Sequence, residues 1–348
     1  VPHDLVYHPG YPYRPGITKE IIDHHTSQSR ININKHKIQK NSVIVDIGSN
    51  DGTLLQQYKN NDMNVIGVEP TDTANIANNN GILTYQKPFD KKIALEILLK
   101  HGAASIITAT NVFAHMATLD DVIRGIQILL DDEGVFIFEN HYMVDIIKHN
   151  QYDTIYHEHI RNYSLKSLIY LFNLYNMSVI DAEIVERYNG SIKVTVSKKK
   201  NSIVMPSVNK VLMYERDFGL YEEDVWNNFK KNIFKSKKNL TDLLNSLKVS
   251  GKTIVGNSCP GRCSTLINYC KIDTSIIPYI AEQPQSLKIG KYLPGMRIPI
   301  VNNEILFRDM PDYIILFAWH LAGPIIKDLK SRGIKSKFIM PLPHVEII

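Results

Sequence analysis

Cysteine is scarce and confined in this chain of 348 residues. Cys259, Cys263 and Cys270 lie within twelve positions of one another, and no second cluster completes a four-ligand zinc site. They read as reduced thiols on a loop and a helix, and zinc is not expected. Long apolar runs are also missing. Nothing approaches the ~20 residues that cross a bilayer, which argues against a membrane role. The N-terminus has no charged-then-apolar leader, so a cytoplasmic protein is expected, and the chain opens on Val1, so a segment ahead of it is expected too. The charge excess is small, +5, and the basic runs 198-KKK-200 and 235-KSKK-238 lack interleaved aromatics and glycines. A solvated face explains them better than a nucleic-acid surface. Finally, the GxGxxG spacing is absent, which counts against a pyrophosphate-bound dinucleotide and an NAD-linked oxidoreductase.

What is present is an ordinary globular composition, 44% hydrophobic and 22% charged, long enough for two cores. From residue 41 to about 200, β-rich apolar runs alternate with helical patterns: 43-VIVDIG-48, 64-NVIGVE-69, 104-ASIITAT-110, 134-GVFIFEN-140, 178-SVIDAEIV-185 and 192-IKVTVS-197. The alternation predicts an α/β fold with a parallel sheet covered by helices. Residues 201–250 have helical spacing and form a connecting arm, with Leu212, Trp226, Phe229, Ile233 and Leu240 as candidate buried positions. The α/β pattern restarts over 251–348 with 253-TIVG-256, 276-IIPYIAE-282 and 313-YIILFAW-319, predicting a second, smaller α/β domain. Residues 1–40, ahead of the first strand, are expected to form an N-terminal active-site segment and a helix.

The run 43-VIVDIGSNDGTLLQQY-58 reads as strand, turn and helix, with Gly48, Gly52 and an Asn50 that tolerates left-handed backbone. Asp46 and Asp51 suit a ligand with a cationic amino-acid part, because carboxylates favour ammonium and sulfonium neighbours. S-adenosylmethionine carries both. Glu69, beside Pro70 and 21 residues beyond Gly48, stands where a carboxylate takes both hydroxyls of a ribose, and Asn111 follows the next strand at the same carboxyl edge. A tight strand-to-helix turn alone would need none of these partners.

The stretch 153-DTIYHEHIRNYSL-165 packs Tyr156, His157, Glu158 and His159 together. A metal site from His157, His159 and His141 is one reading, although no helical HExxH pattern supports it. Satisfied structural polar groups are another. The third is acid-base catalysis, in which a histidine takes a proton, a carboxylate orients it and a tyrosine hydroxyl holds an oxygen. Methyl transfer from a sulfonium to carbon needs such a base, since removing the proton beside a ketone makes the carbon nucleophilic.

With the loop, 111-NVFAH-115 and 139-ENHYMVDIIKHNQYDTIYHEHIRNYSL-165 in view, the chain resembles the sugar C-methyltransferases, which methylate nucleotide-linked deoxysugars. The likeness continues through 255-VGNSCPGRCSTLINYC-270 and 281-AEQPQSLKIGKYLPGMRIPIV-301. It implies a Rossmann-like methyltransferase domain binding S-adenosylmethionine, then a helical arm and a second Rossmann-like domain that helps hold the nucleotide-sugar. The expected partner is a sugar on thymidine, uridine or guanosine diphosphate, and a monomer is compatible with the motifs. By this resemblance His159 is the general base, Tyr156 and Glu158 are its motif partners, and His115 and the Tyr13 of 11-YPYRPG-16 complete the active site. Tyr13, His115 and Tyr156 would contact the sugar or stabilise enolate charge, with Glu158 orienting His159. His157 is as well explained by an outward-pointing ring.

Members of the family commonly begin with a small zinc domain on four cysteines, which this chain does not show before Cys259, so activity without zinc is expected. In the second domain, 256-GNSCPGRCS-264 opens a helix, making its amides, Ser258 and Arg262 candidates for a diphosphate. A Gly-Pro turn capping a helix needs no ligand, however. Lys288, Lys291 and Tyr292 are further substrate candidates, as is Asn140 at the end of 134-GVFIFEN-140. Methylation at oxygen or nitrogen, and a non-catalytic binding protein, remain the alternatives to carbon methylation.

Overall fold

The computed structural model describes residues 6–11, 14, 16, 19–186 and 189–348, so Tyr13 lies outside the described residues. The chain divides into two compact units, one of Val1–Tyr142, Ile160–Val185 and Ser191–Glu215, the other of Met143–His159, Glu186–Gly190 and Arg216–Ile348. The fold class is the α/β, Rossmann-like one expected.

The first unit holds β1 (Val43–Ile47), β2 (Asn64–Val68), β3 (Thr84–Tyr85), β4 (Ala104–Thr110), β5 (Leu130–His141), β6 (Ser178–Val185) and β7 (Ser191–Ser197). Their order is β3-β2-β1-β4-β5-β7-β6. The first five run parallel. All but the two-residue β3 read as largely apolar runs, because helices bury both faces of a parallel sheet. One expectation is corrected: β7 is antiparallel to both β5 and β6. Only Glu186–Gly190 separates β6 from β7. A parallel crossover needs about a dozen residues or more, so a hairpin was the sole choice at that length.

Helix Leu165–Asn173 shows how the unit is stitched. Ser164 caps it reciprocally with Ser167. The fully buried Glu215 then accepts the N–H groups of Leu165 and Lys166, together with the Tyr142 hydroxyl. A carboxylate at a helix N-terminus meets both unpaired donors and the positive end of the dipole. Phe172 of this helix stacks on Phe113 with ring centroids 5.8 Å apart, and Phe136 and Phe138 complete the cluster.

The second unit holds β8 (Ile254–Asn257), β9 (Ile280–Glu282), β10 (Ile300–Asn302), β11 (Tyr313–Leu316), β12 (Lys337–Met340) and β13 (Glu346–Ile347). The order β10-β9-β8-β11-β12-β13 repeats the turn-round of the first sheet, with only β13 antiparallel. The helical arm is two helices, Pro206–Asp217 and Glu223–Val249, parted near Gly219, whose φ of 75° ends the first. Of the candidate buried positions, Phe229 and Leu240 are buried, Leu212 and Ile233 half-buried and Trp226 exposed. No described helix is long and apolar enough to cross a membrane.

Phe172→Ala should cost about 3–5 kcal/mol in urea unfolding. A loss under about 1 kcal/mol would mean that the aromatic cluster does not anchor the 111–115 segment.

Candidate active site

The first sheet turns round between β1 and β4, which makes the carboxyl edge of those strands its ligand edge. Gly48 leaves β1 there at φ 70°, and a Cβ on it would lie 2.5 Å from Val112 Cγ2, so only glycine fits. Asn50 follows in left-handed backbone at φ 50° and donates its N–H to Glu69 Oε2 at 3.0 Å. Glu69 Oε1 accepts the Thr71 N–H at 2.9 Å, with Pro70 half-buried between. The carboxylate at the end of β2 therefore braces the loop after β1.

Asn111 is also left-handed, and its N–H donates to the Glu139 carbonyl at 2.7 Å. Its Oδ1, Ser49 Oγ and Asn140 Nδ2 are buried and have no hydrogen-bond partner among the described residues. Each such atom costs about 1–3 kcal/mol unless a polar ligand meets it. Unsatisfied at the ligand edge of the sheet, they fit a polar ligand such as S-adenosylmethionine.

The two aspartates are placed differently from the expectation of a carboxylate facing a cation. Asp46 accepts the Thr108 hydroxyl at 2.6 Å inside the sheet, and burial, with the Glu69 charge adding, pushes its carboxyl up to about 7. Asp51 is turned to the N-terminal segment, accepting the Gly16 N–H at 3.1 Å and the Thr53 hydroxyl at 2.5 Å.

His115 sits in a short turn that Phe113 anchors in the aromatic cluster, and Asn140 Oδ1 accepts the Ala114 N–H at 3.3 Å beside it. Its Nδ1 shares a hydrogen bond with the Tyr7 hydroxyl. Tyr7 was missed by sequence reasoning, and the repeated tyrosines at 7, 11 and 13 were the only signal for it.

In the second unit the loop after β8 is built the same way. Ser258 takes φ 66° and the Cys259 N–H donates to Glu282 Oε2, at the end of β9, at 2.9 Å. Glu282 was also missed; its signal was an acid closing a strand after a strand-turn-helix, as at Glu69. Lys288 Nζ donates to the Cys259 carbonyl at 2.6 Å, while Lys291 and Tyr292 are exposed.

Arg262 is a correction. Its guanidinium is not presented to a diphosphate: it is buried and forms a fork on Asp153, Nε to Oδ2 at 2.8 Å and Nη2 to Oδ1 at 2.7 Å. Trp319 Nε1–H adds a bond to Asp153 at 2.9 Å, and the guanidinium carbon lies 4.7 Å from the Trp319 ring centre.

The four residues after this clamp form a turn and not a strand. The His159 N–H donates to the Tyr156 carbonyl at 3.0 Å, which brings the two rings to 4.5 Å. His157 is exposed and Glu158 half-buried. A Cβ on Gly261 would lie 3.2 Å from the Tyr156 ring, so the phenol rests on the β8 loop.

His159 Nδ1 lies 2.7 Å from the Thr154 carbonyl oxygen. A carbonyl only accepts, so Nδ1 carries the proton and the lone pair of the neutral ring is on Nε2. The orienting acceptor is thus the Thr154 carbonyl. Burial, with Arg262 adding, pushes the ring down to about 4, where a carboxylate partner would raise it. Burial and then the Glu158 charge hold the Tyr156 phenol protonated well above its usual range. Among the described residues no group of three or more His, Cys, Asp or Glu is placed to hold a metal.

Residues 24–182 match the family description "Methyltransferase domain", and residues 187–343 match "C-methyltransferase C-terminal domain". The C-methyltransferase NovU of Streptomyces niveus is 31% identical over 343 residues, spanning 97% of this chain and 81% of that protein. Among solved structures, an S-adenosylmethionine-dependent methyltransferase of Clostridium acetobutylicum aligns with 50% of this chain and 91% of its own, at 14% identity and TM-score 0.40. Magnesium protoporphyrin IX methyltransferase of Synechocystis aligns with 55% and 90%, at 12% identity and TM-score 0.40.

Asp46 gives a testable pH dependence. Its carboxyl is raised to about 7 in the fold, so its contribution to stability is present at low pH and lost as pH rises from about 4 to 7. Asp46→Asn should therefore raise Tm relative to the parent at pH 8, raise it less at pH 5 and leave it nearly unchanged below about pH 4, read by thermal unfolding at each.

Proposed function

The chain belongs to the C-methyltransferase family and is a methyltransferase; from that premise we propose that it methylates a nucleotide-diphosphate-linked 4-keto deoxysugar at C3. The single observation that carries this reading is the His159 ring, protonated on Nδ1 by its bond to the Thr154 carbonyl and kept neutral by burial. Such a ring offers Nε2 as a base at neutral pH. S-adenosylmethionine, when bound, supplies an electrophilic methyl group.

In this reading Gly48, Asn50, Glu69, Pro70 and Asn111 hold the cofactor, with Glu69 taking ribose hydroxyls as well as the loop N–H. Asp46 and Asp51 meet its cationic end through a change of partner. His159 removes the proton beside the ketone. Tyr156, kept protonated by its surroundings, donates to the ketone oxygen as negative charge develops there, which leaves the neighbouring carbon nucleophilic toward the methyl group that the cofactor would supply. Tyr13 and His115 contact the sugar, and Glu158 acts on Tyr156 through its charge. His157, Asn140, Ser258, Lys288, Lys291 and Tyr292 serve the sugar and its diphosphate. Arg262 has no such part.

The test is a reaction in deuterated water with thymidine-, uridine- and guanosine-diphosphate 4-keto-6-deoxysugars, followed by NMR and mass spectrometry. A methyl on carbon, with deuterium entering the neighbouring position of unreacted sugar, is expected, and His159→Ala should lower both rates by about 10²–10⁴-fold. A methyl on oxygen or nitrogen without exchange would reject the carbon-acid route.

The pH profile carries its own sign. A base depressed to about 4 stays neutral from pH 7 down to about 5, so kcat/KM should hold across that range and fall only near pH 4. An acid limb at about 6.5, the ordinary histidine value, would show that the ring is not the buried one.

A further inference from the structure

We propose that Asp153 is a positioning residue for the general base, acting through the Thr154 carbonyl, and that Arg262 and Trp319 exist to hold it. The inference rests on the reading of His159 as the base.

The argument is one of connectivity. Asp153 and Thr154 are consecutive residues of the single turn Tyr152–Thr154, and both are buried. Asp153 receives the Arg262 fork and the Trp319 N–H, three donors from two elements of the second unit. Gln151 closes the turn from the other side: its Oε1 accepts from Arg262 Nη2 at 3.2 Å, and its carbonyl accepts the Thr154 N–H at 3.0 Å and the Thr154 hydroxyl at 2.8 Å. With its neighbours gripped in this way, the Thr154 carbonyl is held in place, where it accepts the Tyr156 N–H at 3.1 Å and the His159 Nδ1–H.

A planar guanidinium on a carboxylate fixes angle as well as distance, which a lysine would not do. The consequence is chemical: the tautomer with the lone pair on Nε2 is selected before substrate arrives. The charged and titratable groups around the ring are Arg262, Asp153, Glu158, the Tyr156 phenol, and His320 on the far side of Arg262, whose Nδ1 lies 3.5 Å from Nη1.

The test uses the full chain with ¹⁵N-labelled histidine, comparing Asp153→Asn and Trp319→Phe with the parent. His159 is assigned by its loss in His159→Gln. Three quantities are read: the tautomer of His159 at pH 7, the rate of deuterium entry into the keto sugar, and the Kd for S-adenosylmethionine. The proposal expects the Nδ1–H tautomer to lose population in Asp153→Asn, exchange to fall at least tenfold, and the cofactor Kd to stay within about twofold. Trp319→Phe, which keeps the ring beneath Arg262 and removes one donor, should move the same way by less, and decides the matter if Asp153→Asn does not fold. A folded variant with the parent tautomer and exchange rate overturns the positioning role. Unchanged exchange in His159→Gln removes the base itself and this role with it, and is recognised because it appears without any change at Asp153.

Discussion

The buried ion pair between Arg262 and Asp153 is the constraint on which the candidate chemistry depends. An arginine and an aspartate taken out of water together are tolerable only with good geometry and further hydrogen bonds, and removing one partner of such a pair typically costs about 3–5 kcal/mol. Here the geometry is a two-pronged fork, with Trp319 donating to the same carboxylate and lying against the guanidinium. That arrangement leaves the turn Tyr152–Thr154 little freedom, and the turn in turn sets the ring of His159. An exposed loop carrying the same four residues would leave the histidine near its ordinary pKa and free to exchange tautomers.

A second constraint is built twice. In each unit a strand ends in a left-handed residue, a helix follows, and the next strand ends in a glutamate whose carboxylate accepts an N–H from the first loop. Glu69 does this for Asn50, and Glu282 for Cys259. The two sheets share the same turn-round of strand order, so the device occurs at the same topological place in both. Its effect is to rigidify the loop before any ligand arrives, which reduces the ordering that binding would otherwise require.

The aromatic cluster does a comparable task without polar groups. Phe113 is enclosed by Phe136, Phe138 and Phe172, and the short turn that carries His115 is held by that contact and by Asn140. In the proposed reaction the side chains nearest the sugar would therefore belong to turns whose ends are packed, and not to long mobile loops.

Much of the fold was legible because a parallel strand buried on both faces writes itself as an uninterrupted apolar run. β1, β2, β4 and the second half of β5 are largely apolar in this form, whereas the antiparallel β6 and β7 carry Asp181, Glu183 and Lys193, and β3 and β10, two and three residues long, have too little length to show any pattern. The hairpin of β6 and β7 was not read as one, although its short connection leaves no room for a parallel crossover. The residue types at the site were equally legible: glycine and asparagine where the backbone turns left-handed, an acid at a strand end, histidine and tyrosine where protons would move. What the sequence alone determined is thus the elements and the chemical repertoire, since periodicity and backbone preference are local properties. Only the tertiary structure decided how that repertoire is used: that Arg262 grips Asp153, 109 positions away, and that His159 is depressed to about 4 with its proton on Nδ1. Desolvation and the choice of hydrogen-bond partner depend on whatever the fold packs around a group, and a linear sequence does not specify those neighbours.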